Sequence, residues 1–387
     1  MEGDHIKIWH WLTPLSWLYG MAVTLRNIMF DCGALRSESF DLPVISVGNI
    51  TVGGTGKTPH TEYLVKLLKE KYQVAILSRG YKRKTRGFRL AKPNTKMSEI
   101  GDEPFQMKRK FPEIHMAVDK NRCHGIKQLC KPNVRPLVDV IILDDAYQHR
   151  YVTPGINILL MDYHRLIYFD QLLPAGRLRE PRTSSRRADI VIVTKCPLNI
   201  TPMEERGIAR SLDLQPWQQL FFTTFRYGSL VSYDQYTHSK NAAVAPEIPL
   251  ESLNGQDYNV ILLTGIASPE QMEYDLKKHC SFTPVHFPDH HAFTANDIKT
   301  VKYAVEQNKS ENKRTIIVTT EKDAARLTDY FRYSSSDEHT IGGAPIYILP
   351  IEVSFMDSKE ETFNKFILNY VLKNSRNSTL LKGKNDN

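Results

Sequence analysis

Residues 47–59 read V-G-N-I-T-V-G-G-T-G-K-T-P. A β-branched run from Pro43 to Gly48 leads into this stretch, and an apolar-periodic segment from about His60 to Lys71 follows it. A strand, a glycine-rich loop and a helix in this order form a phosphate-binding site, because the loop N–H groups and the positive end of the helix face the same ligand. The sequence therefore predicts a P-loop that binds a nucleotide.

Eight consecutive residues are expected to contact this nucleotide: Thr51, Val52, Gly53, Gly54, Thr55, Gly56, Lys57 and Thr58. Lys57 would neutralise the β- and γ-phosphates during catalysis, and the Thr58 hydroxyl would coordinate Mg²⁺. Thr51 departs from the general pattern, which has glycine at this position. A glycine-rich turn without a ligand is the alternative, and it leaves the coincidence of strand, Gly-Lys-Thr and helix unexplained.

Apolar runs recur outside the P-loop, with helix-length segments between several of them. These runs lie at 74–77, 114–118, 138–143, 156–161 and 190–193. Strands that alternate with helices predict an α/β fold, here a P-loop NTPase-like, mostly parallel sheet with helices on both faces. Two further strands, Phe221–Phe225 and Tyr347–Ile351, flank a region with its own alternation. We expect that region, 226–344, to be a smaller α/β lobe joined to the core by a two-stranded linker.

Residues 138–149 read V-D-V-I-I-L-D-D-A-Y-Q-H, an apolar strand that ends in two carboxylates. In a P-loop fold, a strand beside the P-loop strand presents an aspartate to Mg²⁺. Because side chains alternate along a strand, Asp144 and Asp145 cannot both point the same way. One is expected to reach the metal, directly or through water, and the other to support the substrate or the sheet edge.

The chain lacks the two signatures of a guanine-nucleotide switch protein, which is the nearest rival within this fold. The D-x-x-G signature fails because Asp145 is followed by A-Y-Q, and the [NT]-K-x-D signature fails because T-K-C at 194–196 is followed by Pro197.

Three further segments carry polar groups that a P-loop alone does not require. G-D-E-P at 101–104 begins a predicted helix, where Asp102 is either a simple N-cap or a functional carboxylate. F-P-D-H-H at 287–291 is a metal site, a general-base unit or a turn. The stretch 177–187 holds five arginines around Glu180. Guanidinium groups bind phosphate bidentately, although a solvated charge run has the same composition.

The N-terminal segment is strongly apolar. No charged side chain occurs from Ile8 to Leu25, a stretch of 18 residues that holds three tryptophans. A bilayer-spanning helix needs about 20 apolar residues, and Pro14 and Gly20 weaken such a helix. Tryptophan rings suit the headgroup level of a membrane. We expect residues 1–35 to be a membrane-associated anchor, with a buried core helix as the alternative.

The formal net charge of +8 favours an anionic partner: nucleic acid, an acidic membrane face or a phosphorylated substrate. The five cysteines form no C-x-x-C pair, which indicates reduced thiols in a cytoplasmic protein without a zinc site. The expected organisation is completed by a P-loop kinase core at 36–225, a return to the core with a C-terminal helix at 345–374, and a frayed tail at 375–387.

Together and in this order, the motifs resemble the tetraacyldisaccharide 4′-kinase family, inner-membrane enzymes that make lipid IVA. The shared motifs span most of the chain: P-L-S-W-L-Y-G at 14–20, V-G-N-I-T-V-G-G-T-G-K-T-P at 47–59, S-R-G-Y at 78–81, G-D-E-P at 101–104, L-D-D-A-Y-Q-H at 143–149, L-R-E-P at 178–181, F-P-D-H-H at 287–291 and T-E-K-D at 320–323. Thr51, unusual for a P-loop in general, is normal for this family.

The resemblance implies transfer of the γ-phosphoryl group of ATP, with Mg²⁺, to the 4′-hydroxyl of an acylated glucosamine disaccharide 1-phosphate. It also implies that Asp102 pairs with His290 to activate that hydroxyl, although His291 makes the position of the histidine ambiguous by one residue. Asp145 and Glu180 would join Thr58 at the metal. Four residues of these motifs are expected at the substrate: Asp144, Gln148, His149 and Arg179.

The expected setting is the cytoplasmic face of the inner membrane of a Gram-negative bacterium, where a monomer would meet its lipid substrate and an anionic membrane surface but no nucleic acid. Two alternatives stay open on the sequence. A P-loop kinase or ligase of a soluble metabolite would use the tryptophan-rich segment for core packing. A nucleotide-gated membrane or nucleic-acid adaptor would use hydrolysis only to switch binding.

Overall fold

The structure is a computed structural model that describes residues 8–237, 246–254, 257–266, 269–289, 291–310, 312–331 and 340–375. His290 and, apart from Ser375, the tail expected at 375–387 lie outside these ranges. The strands, in chain order, are β1 Val44–Gly48, β2 Val74–Ser78, β3 Arg89–Leu90, β4 His115–Val118, β5 Val140–Asp144, β6 Ile156–Asp162, β7 Ile190–Thr194, β8 Gln219–Tyr227, β9 Val231–Ser232, β10 Tyr258–Thr264, β11 Phe282–His286, β12 Arg314–Thr320, β13 Thr340–Ile341, β14 Ala344–Leu349 and β15 Ile351–Phe355. The α-helices are α1 Thr13–Asp31, α2 Lys57–Lys69, α3 Met97–Ile100, α4 Asp102–Lys110, α5 Arg122–Leu129, α6 Pro202–Ser211, α7 Tyr233–Tyr236, α8 Glu270–Leu276, α9 Ala295–Gln307, α10 Glu321–Phe331 and α11 Glu360–Asn374. Short 3₁₀ turns lie at His10–Leu12, Tyr163–Arg165, Ile167–Phe169, Arg182–Arg187 and Leu250–Asn254.

The larger sheet has nine strands in the order β15-β8-β7-β6-β1-β5-β2-β4-β3. Its neighbours are parallel except at the two edges, where β15 pairs antiparallel with β8 and β3 with β4. The α/β fold with a mostly parallel sheet, predicted from the sequence, is confirmed. Because β1 lies between β5 and β6, the P-loop leaves the sheet at its centre.

Helices cover both faces of this sheet. Ile45 on β1 shares a buried cluster with Leu64 of α2 and Ile367 of α11, whereas Val44 packs in a different cluster with Ile126 of α5. Alternate residues of β1 therefore face opposite sides, so all five of its residues are buried. The Tyr370 hydroxyl of α11 also accepts a hydrogen bond from the Val44 N–H at 3.2 Å, which fixes α11 to the P-loop strand.

The smaller sheet has the order β11-β10-β12-β14-β13, with β9 paired to β14. It extends past the boundary expected at 344, because β14 continues to Leu349. The run Tyr347–Ile351 is divided at Pro350, since proline has no N–H for a sheet ladder, and β15 begins at Ile351 in the larger sheet. The two regions, here named the larger lobe and the smaller lobe, are joined where β8 leads to β9 and β14 leads to β15.

Helix α1 has an unusual distribution of side chains. Its polar or small residues Ser16, Gly20 and Asn27 are buried, whereas Trp17 is 70% exposed, as is Trp11 just before the helix at 73%. The buried core helix considered from sequence is therefore wrong. In the described ranges, no helix combines the length and apolarity that crossing a bilayer requires.

Candidate active site

The P-loop is shaped by its flanking strand and by two glycines. Thr51 forms an antiparallel bridge with Leu178, supported by the hydrogen bond from the Arg179 N–H to the Ile50 carbonyl at 2.7 Å. This extended pairing suits any residue, which explains why threonine can stand where other P-loops have glycine. Gly53 and Gly56 have φ angles of 122° and 81°, which L side chains rarely adopt. Glycine is therefore required at these two positions.

Lys57, the first residue of α2, lies at the end of the loop beside Asp145. The Lys57 Nζ is 3.5 Å from the Asp145 Oδ1, and the Arg179 Nη1 is 3.7 Å from the same oxygen. Burial raises the pKa of Asp145, but the nearby charges of Lys57, Arg179 and Arg122 outweigh it and lower the pKa below its usual range. Asp145 is therefore an anion between cations. It is in a position to bind a metal ion, and Lys57 and Arg179 are in a position to bind a phosphate.

Asp144 has a different environment from its neighbour. It is 1% exposed and its Oδ2 accepts a hydrogen bond from the Ser78 hydroxyl at 3.0 Å. Burial, with the nearby carboxylates of Glu103 and Asp145, raises the pKa of Asp144 to about 7. Asp145 leaves the strand with a φ angle of 46°, so the chain turns between the two residues. The two carboxylates therefore have different partners because of this turn, and not because side chains alternate along one strand.

Gln148 and His149 lie in the turn after β5 and have protein partners. The Gln148 Nε2 donates to the Asn49 carbonyl at 2.6 Å, which ties this turn to the start of the P-loop. The His149 Nε2 accepts the Arg122 N–H at 3.1 Å. Burial and nearby arginines lower the pKa of His149 to about 4, so the ring is neutral at neutral pH. The structure thus ties Gln148 to the start of the P-loop and His149 to the start of α5, and contact of either residue with a substrate stays a prediction.

Glu180 lies in an ion pair, with its Oε2 2.5 Å from the Arg187 Nη2. Its other oxygen, Oε1, and the Asp144 Oδ1 are buried and accept no hydrogen bond from the described residues. No group of three or more His, Cys, Asp or Glu side chains in those residues could hold a metal by itself. Mg²⁺ prefers oxygen ligands and is usually held by one or two carboxylates with substrate phosphates, so Thr58, Asp145 and Glu180 fit this ion chemically.

Asp102, the first residue of α4, is held from the smaller lobe. The Arg326 Nη2 of α10 donates to the Asp102 Oδ2 at 3.1 Å, and the Glu103 N–H donates to the Asp102 Oδ1 at 3.0 Å. Arg326 is 3% exposed, and its Nη1 binds Asp323 at 2.9 Å and the Gly265 carbonyl at 2.7 Å. The Asp102 carboxylate is therefore oriented by a guanidinium group that is itself fixed by the smaller lobe.

The F-P-D-H-H loop comes close to this corner. The Asp289 Oδ1 lies 3.8 Å from the Arg326 Nη2 and accepts a hydrogen bond from Lys322 at 3.2 Å. His291, two residues after Asp289, has a structural partner, because its Nε2 is 2.9 Å from the Asp297 Oδ2 and its ring stacks on Phe287. His290, the predicted partner of Asp102, lies outside the described residues.

Three residues that contribute to the site, Arg326, Tyr19 and Arg26, were not predicted from the sequence. Arg326 follows the T-E-K-D motif closely, but nothing in the sequence pairs it with Asp102. Helix α1 supports the site loops, because the Tyr19 hydroxyl donates to the Arg179 carbonyl at 2.8 Å and Arg26 donates to the Gln148 carbonyl at 3.0 Å. The apolar composition of that segment gave no signal of these contacts.

Comparisons with known proteins agree with this geometry. Residues 8–372 match the family described as Tetraacyldisaccharide-1-P 4′-kinase. The chain is 55% identical to a Tetraacyldisaccharide 4′-kinase of Phocaeicola vulgatus, with 98% of this chain and 99% of the relative covered. It is 49% identical to one of Bacteroides thetaiotaomicron, with 100% and 99% covered. A crystal structure of LpxK from Aquifex aeolicus in complex with ATP is similar at 29% identity and a TM-score of 0.67, over 93% of this chain and 98% of that one.

Proposed function

This chain belongs to the tetraacyldisaccharide 4′-kinase family, and from this premise we infer the role of each site residue in the reaction. The activity is ATP-dependent phosphorylation of the 4′-hydroxyl of tetraacyldisaccharide 1-phosphate, a step of lipid A biosynthesis. The observation that best supports a kinase site is the cluster of Lys57, Asp145 and Arg179 at the end of the P-loop.

The P-loop side of the site would hold ATP. The loop N–H groups from 51–58 would contact the phosphates, and Lys57 would leave Asp145 to neutralise the charge that develops on the transferred group. Mg²⁺, when bound by Thr58, Asp145 and Glu180, would supply further neutralisation of phosphate charge. Arg179, already close to Asp145, would bind phosphate oxygens of the nucleotide or of the substrate.

The Asp102 side would act on the acceptor. Asp102 would take the proton of the 4′-hydroxyl as its oxygen bonds to the γ-phosphorus and the bond to ADP breaks. Arg326 would keep the carboxylate in one orientation, and His290 would pair with Asp102 when the acceptor is bound. Every residue in this account belongs to one chain, so we propose that a monomer is active.

The exposed face of α1 supports association with a membrane surface. Alongside Trp11 and Trp17, Leu18 is 60% exposed and Met21 62% exposed. Burial of apolar side chains at the acyl boundary, with attraction of the basic chain to anionic lipid, would hold the protein there. We propose the cytoplasmic face of the inner membrane of a Gram-negative bacterium, where both ATP and an acylated substrate are available.

The activity is tested by incubating the full chain with ATP, Mg²⁺ and detergent-dispersed disaccharide 1-phosphate. Mass spectrometry should detect one added phosphoryl group, and a preparation of Lys57→Ala should form it at least about 10²- to 10³-fold more slowly. Product from a soluble sugar phosphate instead of the lipid would favour the alternative of a metabolite kinase.

The membrane proposal is tested by substitution and not by deletion, because α1 also supports the site loops. Trp11→Ser with Trp17→Ser should lower recovery in the membrane fraction while activity on detergent-dispersed substrate is retained. Release of the wild type by a salt wash alone would show that charge and not the α1 face holds it, as for a nucleic-acid binder.

A further inference from the structure

A buried histidine lies directly behind the P-loop. His60, on the first turns of α2, is 3% exposed, and its ring bridges two elements. Its Nδ1 is 2.8 Å from the Gly56 carbonyl oxygen and its Nε2 is 3.0 Å from the Thr223 Oγ1 on β8. None of the roles assigned above involves this side chain.

The direction of both hydrogen bonds follows from chemistry. A carbonyl oxygen only accepts, so the Nδ1 carries the ring proton and donates to Gly56. The Nε2 of that neutral tautomer can only accept, so the Thr223 hydroxyl donates to it. The ring is 3% exposed, and its two hydrogen-bond partners are a carbonyl and a hydroxyl, neither of which carries a charge.

The Gly56 peptide is enclosed by the same strand. A Cβ added to Gly56 would lie 2.8 Å from the Phe225 Cζ and 3.5 Å from the His60 Nδ1. Thr223 and Phe225 share one face of β8, because side chains alternate along the strand. Gly56 is therefore held between His60 and a strand that pairs with β15 and leads to the smaller lobe.

The Gly56 carbonyl and the Lys57 N–H belong to one planar trans peptide, so they point in opposite directions. Fixing the carbonyl toward His60 aims the N–H at the side of the loop where phosphates bind. We propose that His60 is a positioning residue that fixes this peptide to β8, so that nucleotide affinity depends on Thr223, a residue of the strand that joins the lobes. This inference rests on nucleotide binding at the P-loop.

The test uses the full chain and ATP with Mg²⁺, with affinity measured by calorimetry. Thr223→Val removes the donor to His60 without changing side-chain shape, and we expect the Kd for ATP to rise roughly 5- to 20-fold, within the range of ordinary coupling between sites. Thr223→Ser retains the donor and should stay within about twofold of wild type. Thr224→Val, on the opposite face of β8, is the matched control and should leave the Kd unchanged.

Hydrogen exchange gives a second readout. ATP should protect the amides of 219–227 in the wild type, and this protection should be lost in Thr223→Val. An unchanged Kd for Thr223→Val with a lower melting temperature would show that His60 only stabilises the fold, and an equal loss in Thr224→Val would show a general effect of the strand. Either result overturns the inference. A wild type that binds ATP but phosphorylates no lipid would instead overturn the proposed function.

Discussion

The P-loop and the Asp102 corner face the same reaction but are built in opposite ways. The P-loop uses neighbouring residues and backbone groups, with glycines at Gly53 and Gly56 that set its shape. Asp102 is held by Arg326, which is 224 positions away in the other lobe. These contiguous residues set the backbone shape of the loop, and its supports from Leu178 and β8 lie within the larger lobe. The orientation of Asp102 exists only when both lobes are in contact.

The two regions also differ in their balance of charge. Beside the P-loop, two cations, Lys57 and Arg179, lie near one carboxylate, Asp145. At the other corner, two cations, Arg326 and Lys322, lie near three carboxylates, those of Asp102, Asp289 and Asp323. The first arrangement is suited to receive the anionic phosphates of ATP, and the second is suited to hold a carboxylate in place for proton transfer.

Lys57→Ala should have the largest effect, because it removes the main charge-stabilising group of the P-loop side. We expect phosphoryl transfer to fall by at least about 10²- to 10³-fold, with the melting temperature close to wild type. A kinetic assay with circular dichroism checks both. Activity within tenfold of wild type would contradict the P-loop assignment.

Asp102→Asn removes the proposed base while preserving shape, and kcat should fall by about 10²- to 10⁴-fold with little change in the KM for ATP. If His290 acts with Asp102 as one unit, a double variant with His290→Ala should be scarcely worse than either single change. His291→Ala is the control, since His291 already has Asp297 as a partner. A damaging His291→Ala and a silent His290→Ala would reject the pairing.

Arg326→Lys tests whether contact between lobes matters for catalysis. Lysine keeps the charge but cannot span Asp102, Asp323 and the Gly265 carbonyl together, so we expect kcat to fall roughly 10- to 100-fold while the KM for ATP is retained. Arg186→Lys is a suitable control, because that arginine pairs with Asp213 in an exposed position. A rise in the KM for ATP with constant kcat would place Arg326 on the nucleotide side.

The smallest effect of a substitution is expected at the buried ion pairs that connect the two regions. The Lys110 Nζ lies 2.6 Å from Glu62 of α2 and 2.5 Å from Glu321 of α10. Burial, with the charge of Glu62, raises the pKa of Glu321 from 4.5 to about 7. Between these two pH values, the folded protein keeps a proton on Glu321 that the unfolded protein has released. The free energy of unfolding therefore falls as pH rises through this window.

The variant Glu321→Gln lacks the carboxyl group that takes up this proton. The difference between the free energy of unfolding of Glu321→Gln and that of wild type should increase by about 1–3 kcal/mol from pH 5 to pH 8. Urea denaturation at each pH measures this difference. Glu361→Gln on the exposed face of α11 should show no such trend. Parallel curves for Glu321→Gln and wild type would contradict the raised pKa.

The P-loop could be predicted from sequence because its chemistry is contiguous. Glycines, lysine and threonine at fixed spacing after a β-branched run specify strand, loop and helix together. Strand alternation was expected to separate Asp144 from Asp145, but Asp145 lies beyond β5 with a φ angle of 46°, so the turn after the strand separates them. The start of α2 at Lys57, ahead of the apolar pattern from His60, did not follow, because the first turn of this helix carries ligand-binding and not core-facing residues.

The Asp102 corner could not be predicted in the same way. Arg326 lies on a helix whose sequence shows only amphipathic spacing, and its pairing depends on how α4 and α10 pack. Composition was also insufficient for α1. It identified an apolar segment but not that Ser16, Tyr19 and Asn27 would face the protein. Contacts of this kind depend on tertiary packing and have no local pattern.

Helix α11 has a consequence for the order of synthesis. Val44 of the P-loop strand and Tyr370 of α11 are 326 positions apart, yet they are hydrogen-bonded, and Phe363, Ile367 and Val371 complete the buried cluster against β1. At typical translation rates, about 15 to 65 seconds separate their emergence from the ribosome. The smaller lobe is synthesised within that interval, while the part of the apolar sheet face that α11 covers is still exposed. The P-loop sheet is thus begun early in synthesis and closed by one of the last helices to be made.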